Sequence, residues 1–114
     1  MHHTCGSVRP LIPLMIDSGL DVLQSLQPEA ADMSPAELKT DFGDRLAFHG
    51  GISIQQTLPF GTPEDVRNEV RQRIADLASG GGYIISTSHN IQADTSIENA
   101  TALLRAYDEF GNYR

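Results

Sequence analysis

The sequence has very little cysteine and no long run of apolar residues. Cys5 is the single cysteine, so no disulfide can form within the chain, and this fits a reducing compartment. No apolar stretch approaches the roughly 20 residues that a membrane-spanning helix requires, and no signal peptide precedes the first charged residues. We therefore expect a cytoplasmic protein with no membrane partner.

Basic residues are also scarce. The chain has 8 Lys and Arg residues against 15 Asp and Glu residues, which gives a formal net charge of -7. The basic residues are scattered, whereas binding to a phosphate backbone requires clustered Lys and Arg. The composition therefore argues against a nucleic-acid partner and leaves a small-molecule substrate as the expectation. A chain of 114 residues also fits one domain at most.

Apolar patterning and turn residues predict that short strands alternate with helices. The predicted strands are residues 1–5, 20–25, 46–49 and 83–87. The predicted helices are residues 8–18, 34–42, 62 to the glycines at 80–82, and 95–110. Ser34 begins a capping-box sequence, and Thr62 is followed by proline and acidic residues as at a helix N-cap. Regular alternation of this kind indicates an α/β fold of four βα units with parallel strands.

Candidate chemistry lies where the strands end, since functional side chains of parallel α/β proteins collect there. Three of the four histidines and the only cysteine occupy such places. His3 and Cys5 are two residues apart, so in an extended chain both side chains point to the same side. Imidazole and thiolate suit Zn²⁺, and His89, after the fourth strand, can supply a third ligand while leaving a coordination position open.

These residues also have ordinary structural explanations. An isolated His-x-Cys pair is a weak signal, and a cysteine is more often a small buried hydrophobic residue. His89 is also compatible with a loop histidine bonded to the backbone. His49 precedes two glycines, which favours a structural or pocket-lining role over metal ligation. Gln27, His49 and Asn90 also lie at strand ends, and for this reason we predict that they contribute to cofactor binding.

Three sequence stretches together resemble the C-terminal half of the uroporphyrinogen decarboxylase superfamily. They are HHTCGSV, LAFHGGISIQQTLPFGTPEDV and GGYIISTSHNIQADTSIEN, and the resemblance covers nearly all of residues 3–111. That superfamily also includes zinc- and corrinoid-dependent methyltransferases. The resemblance implies that residues 1–114 form a single partial domain, equivalent to the C-terminal half of a (β/α)8 TIM barrel.

The methyltransferase branch of that superfamily implies a specific chemistry. There an H-x-C pair, matched by His3 and Cys5, and a later thiolate ligand hold a zinc ion that activates a thiol. His89 occupies the position of the later ligand, and it is the predicted catalytic residue. The methyl group would come from a corrinoid carried by a partner protein. In the decarboxylase branch, which needs no metal, the residue matched by His89 lines the porphyrinogen pocket.

The resemblance leaves two further expectations. Four strands cannot close an eight-stranded barrel, so both outer strands would expose unpaired backbone groups. We therefore expect a homo-oligomer or pairing with an N-terminal half-barrel. The arginine and aspartate that bind substrate in the decarboxylases belong to that other half, so a catalytically silent fragment is the remaining alternative.

Overall fold

The computed structural model describes residues 1–112 and contains one four-stranded sheet, in which all strands are parallel. The strands lie side by side in chain order and are β1 (His2–His3), β2 (Val22–Leu26), β3 (Ala47–Ile52) and β4 (Tyr83–Thr87). This order confirms the predicted α/β class and is consistent with part of a TIM barrel. The predicted domain, residues 1–114, includes two residues outside the described range.

Helices connect consecutive strands and follow the last one. A 3₁₀ turn (Arg9–Leu11) precedes the helices α1 (Ile12–Asp17), α2 (Pro35–Phe42), α3 (Thr57–Phe60), α4 (Pro63–Leu77) and α5 (Ile97–Phe110). At the start of α4, the Asp65 N–H donates to the Thr62 hydroxyl oxygen at 3.2 Å, and the Asp65 carboxylate accepts from the Thr62 N–H at 2.8 Å. The capping box predicted at Ser34 is wrong, because the Ser34 side chain makes no cap hydrogen bond.

The sequence expectations fail at two places around β3. The strand does not stop at His49 but continues through Gly50 and Gly51 to Ile52, and both glycines pair with β4. Their φ angles are +119° and +100°, and a Cβ on Gly50 would lie 2.9 Å from the Leu26 backbone nitrogen. Gly50 therefore allows close approach of β2 and β3, and neither glycine ends the strand. In addition, α3 lies between β3 and α4, where no helix was predicted.

The two faces of the sheet have different surroundings. One row of paired residues packs against the helices and is buried: Leu23, Phe48 and Tyr83. The next row faces the other way, with Gln24 and His49 half-buried and Ile84 51% exposed. This open face corresponds to the inside of a barrel, so polar side chains at the carboxyl ends of its strands are accessible.

Two hydrophobic clusters lie on the helix side of the sheet. The first packs α1 and α2 against β2 and β3, and it includes Ile12, Leu23, Leu38 and Phe48. The second packs α4 and α5 near the end of β3, and it includes Ile52, Val66, Val70 and Leu103. Among residues 1–112, no helix has the length and apolar character needed to cross a membrane.

The first strand is short and covers His2–His3 of the predicted residues 1–5. Only His2 and His3 pair with β2 in the ladder, and the Thr4 N–H then donates to the Gln24 carbonyl oxygen at 2.6 Å. β1 and β4 form the two edges of the described sheet. Pairing of these edges with another chain stays a prediction.

Candidate metal site and adjoining cleft

His3 and Cys5 lie together at the end of β1. The Cys5 sulfur is 3.3 Å from Nε2 of His3, so the two side chains point to the same side, as their spacing predicts. The Cys5 side chain is exposed, so the alternative of a small buried hydrophobic residue is wrong. The two residues are therefore accessible to a ligand entering from the open face of the sheet.

His89 reaches the same place from the opposite edge of the sheet. Its ring centroid is 6.0 Å from that of His3, although β1 and β4 are separated by two other strands. Curvature of the sheet must therefore bring the strand ends together, as in a barrel. The loop that carries His89 is held by buried Ser88, whose N–H and hydroxyl both donate to the Ile52 carbonyl oxygen, at 2.9 and 3.0 Å.

The three side chains form a group that can hold a metal ion. One ligand atom from each of His3, Cys5 and His89 lies within 4.8 Å of the other two. Around a tetrahedral zinc, with bonds of about 2.0–2.3 Å, ligand atoms are about 3.3–3.6 Å apart. The Cys5–His3 distance already fits this value. Because all three side chains are exposed, small rotations can close any longer separation.

A second row of contacts supports His3 and Cys5 at the end of β1. Nδ1 of His3 lies 3.2 Å from the side-chain oxygen of Gln24, and the Cys5 sulfur lies 3.9 Å from the Ser25 hydroxyl oxygen. Gln24 was not among the residues predicted to bind a metal or a cofactor. The signal that could have identified it is the register of the sheet, which places Gln24 directly beside His3.

A cleft of about 430 Å³ adjoins the candidate metal group. Its lining residues come from all four strands or the segments that follow them: His3, Gln24, His49, Ser86, Thr87, Ser88, His89 and Asn90. Nδ1 of His49 lies 3.3 Å from the Ser86 hydroxyl oxygen, and this contact orients the imidazole. The structure thus places His49 and Asn90, two of the predicted binding residues, in one cleft with the candidate metal group.

Gln27 has a different position. It is not among the residues that line this cleft, and its side-chain oxygen accepts a hydrogen bond from the Gly6 N–H at 3.0 Å. This bond anchors the chain immediately after Cys5. Its predicted part in cofactor binding stays a prediction.

Comparison with known proteins identifies the family. The chain matches the sequence model of uroporphyrinogen decarboxylase (URO-D) over residues 1–110. The chain belongs to the URO-D family. It is 32% identical over 75 residues to a uroporphyrinogen decarboxylase of Pseudoalteromonas translucida, a match that covers 66% of this chain and 21% of the relative.

Two further relatives match over more of this URO-D-family chain. A uroporphyrinogen decarboxylase of Methylobacillus flagellatus is 31% identical over 108 residues, which cover 89% of this chain and 30% of the relative. A methylated-thiol–coenzyme M methyltransferase of Methanosarcina mazei is 29% identical over 108 residues, covering 94% of this chain and 27% of the relative. The chain thus spans less than a third of the length of these relatives.

The URO-D-family chain also contains a buried polar cluster between the end of β3 and helix α4. The Ser53 N–H donates to Glu69 at 3.2 Å, the Ser53 hydroxyl donates to Glu29, and an Arg73 guanidinium nitrogen lies 3.6 Å from Glu69. Burial raises the pKa of Glu69, and the nearby charge of Glu29 adds to the increase, while Thr57, Ser53 and Arg73 oppose it. The Glu69 carboxyl group thus links α4 to the end of β3.

Proposed function

We propose that this chain supplies part of the site at which a URO-D-family methyltransferase moves a methyl group from a methyl-corrinoid to a thiol. The observation that carries the proposal is the convergence of His3, Cys5 and His89 from opposite edges of the sheet. These residues would hold a zinc ion. When bound, zinc lowers the pKa of a coordinated thiol, which is then a thiolate nucleophile at neutral pH.

The cleft beside the candidate metal group would hold the second reactant. The open cleft beside the metal group, lined by His49, Ser86 and Asn90, would receive the thiol acceptor. In this exchange the acceptor thiol would release its proton to solvent, and its sulfur would form a bond to the methyl carbon. The carbon–cobalt bond breaks, and its electron pair stays on the cobalt. The corrinoid would be carried by a partner protein, as the resemblance to the methyltransferase branch implies.

Porphyrinogen decarboxylation is the second candidate function. It is favoured by the identity to decarboxylases, and His89 would then line the substrate pocket instead of binding zinc. Porphyrinogen substrates carry several carboxylates, which basic side chains bind well. The described part of the chain places no Arg or Lys in the cleft lining. A decarboxylase would therefore need the basic groups from a part of the barrel outside this chain.

Zinc binding separates the two candidates. We expect the chain, dialysed against dilute zinc and then against buffer, to retain stoichiometric zinc by elemental analysis. Cys5→Ser should lose it, since one of three ligands is weakened. His2→Asn is the matched control, because His2 neighbours the site but is not in the ligand group. A wild-type chain without stoichiometric zinc, or a Cys5→Ser variant that retains it fully, would exclude the zinc-dependent proposal.

Methyl transfer tests the reaction itself. The zinc-loaded chain is mixed with methylcobalamin and a simple thiol, and loss of the methylcobalamin absorbance is followed. Turnover that Cys5→Ser abolishes supports a methyltransferase. Zinc binding without turnover, even when the remaining part of a relative's barrel is added as a second polypeptide, would favour the catalytically silent alternative.

A further inference from the structure

Gln24 contacts the one ring nitrogen of His3 that the candidate metal group does not need. In the sheet, His3 and Gln24 are direct partners across β1 and β2. The Gln24 side-chain oxygen lies 3.2 Å from Nδ1 of His3, whereas Nε2 of the same ring lies 3.3 Å from the Cys5 sulfur. The two nitrogens therefore face two chemically different partners.

The chemistry of the Gln24 oxygen decides which nitrogen carries the proton. An amide oxygen can only accept a hydrogen bond, so Nδ1 must carry the hydrogen when the bond is made. A neutral imidazole with hydrogen on Nδ1 has its lone pair on Nε2, which points towards Cys5. We propose that Gln24 is a positioning residue that holds His3 in this tautomer and ring orientation, so that Nε2 is available to the metal.

Gln24 is well placed to do this because its backbone is fixed. It lies in a central strand, where it pairs with His3 on one side and His49 on the other. Its carbonyl oxygen also accepts from the Thr4 N–H at 2.6 Å, which ties β1 to β2 between His3 and Cys5. Histidines that bind metals commonly donate their second N–H to such an outer partner, and loss of that partner costs about 10–100-fold in metal affinity.

The inference rests on the proposed zinc site for its effect on affinity, but the tautomer can be measured without metal. In ¹⁵N-labelled metal-free chain, the His3 signals are assigned by their loss in His3→Gln, and the ring-nitrogen shifts are read while the ring is neutral. We expect hydrogen on Nδ1 in wild type and in Gln24→Glu, whose carboxylate still accepts. Gln24→Met removes the acceptor at similar size and should lose this preference.

Zinc affinity gives the second readout, measured by competition with a chromophoric chelator. Gln24→Met should bind zinc about 10–100-fold more weakly than wild type, and Gln24→Glu should restore binding. Gln72→Met is the matched control, since Gln72 is exposed on α4 and bonds to nearby Asp76. Absence of zinc binding in wild type would refute the proposed function, but the tautomer measurement would still decide the role of Gln24.

Two results would overturn the inference. One is hydrogen on Nε2 of His3 in the wild-type, metal-free chain. The other is a folded Gln24→Met variant with the wild-type tautomer and the wild-type zinc affinity. If Gln24→Met does not fold, the tautomer in wild type and in Gln24→Glu still tests the proposal.

Discussion

Replacement of Gly50 by alanine should destabilise the chain severely, because this residue lies where β2 and β3 approach most closely. Gly50 has a φ of +119°, a conformation that costs an L-residue about 1–3 kcal/mol. The added Cβ would also lie 2.9 Å from the nitrogen and 3.3 Å from the oxygen of the Leu26 backbone. Backbone atoms cannot rotate away as a side chain can, so the two strands would have to separate.

The expected loss follows from these two terms. Overpacking of this kind costs about 1–3 kcal/mol. Together with the backbone cost, Gly50→Ala should lower the free energy of unfolding by about 2–6 kcal/mol. This is a large share of the total for a domain whose free energy of unfolding is typically about 5–15 kcal/mol. Since β2 carries Gln24 and β3 carries His49, the same separation should also disturb the cleft beside the metal group.

Gly80→Ala is the matched control. Gly80 also has a positive φ, +73°, but no atom lies within 4 Å of the position its Cβ would take. Its cost should be that of the backbone conformation alone, about 1–2 kcal/mol. Urea unfolding followed by circular dichroism gives both free energies. Equal losses in the two variants would refute the argument that close strand approach requires glycine at position 50.

Two further predictions concern stability. Burial raises the folded-state pKa of Glu69 above its ordinary 4.5, so its contribution to stability is greatest below pH 4.5 and is lost as pH rises through the raised value. Glu69→Gln cannot ionise and should flatten this pH dependence in urea unfolding. Identical profiles would contradict the assignment. Thr62→Ala should cost about 1 kcal/mol by loss of its cap bond, whereas Ser34→Ala should cost much less. Equal costs would show that the observed cap bonds do not matter.

Local signals in the sequence predicted much of the fold. The strand Tyr83–Thr87 has the predicted boundaries, and α4 buries Val66 and Val70, whose spacing of four residues is that of one helix face. The buried face of the helix was less well predicted for α1 and α5, near the ends of the chain. Leu14 and Leu104 have the apolar spacing of a buried helix face, yet each is 64% exposed. Apolar spacing in a short or strongly apolar helix fits more than one face, and packing decides between them.

Only the part of the candidate site that lies within one short segment of the chain could be predicted from the sequence. His3 and Cys5 are two residues apart at the end of β1, so their spacing alone placed them on one side. The approach of His89 depends on sheet curvature, and the contact between Gln24 and His3 depends on register. Neither property is encoded in a local pattern. The third strand was predicted to end at His49 because two glycines follow it. Gly50 instead continues the strand, and its lack of a side chain allows the close contact with β2.

X-ray absorption at the zinc edge tests the central claim most directly. If His3, Cys5 and His89 bind zinc, the spectrum of the zinc-loaded chain should contain sulfur scattering at about 2.3 Å together with imidazole nitrogens at about 2.0–2.1 Å. The sulfur component should disappear in Cys5→Ser and persist in His2→Asn. A spectrum with oxygen or nitrogen neighbours but no sulfur, or one that is unchanged in Cys5→Ser, would contradict the proposed site.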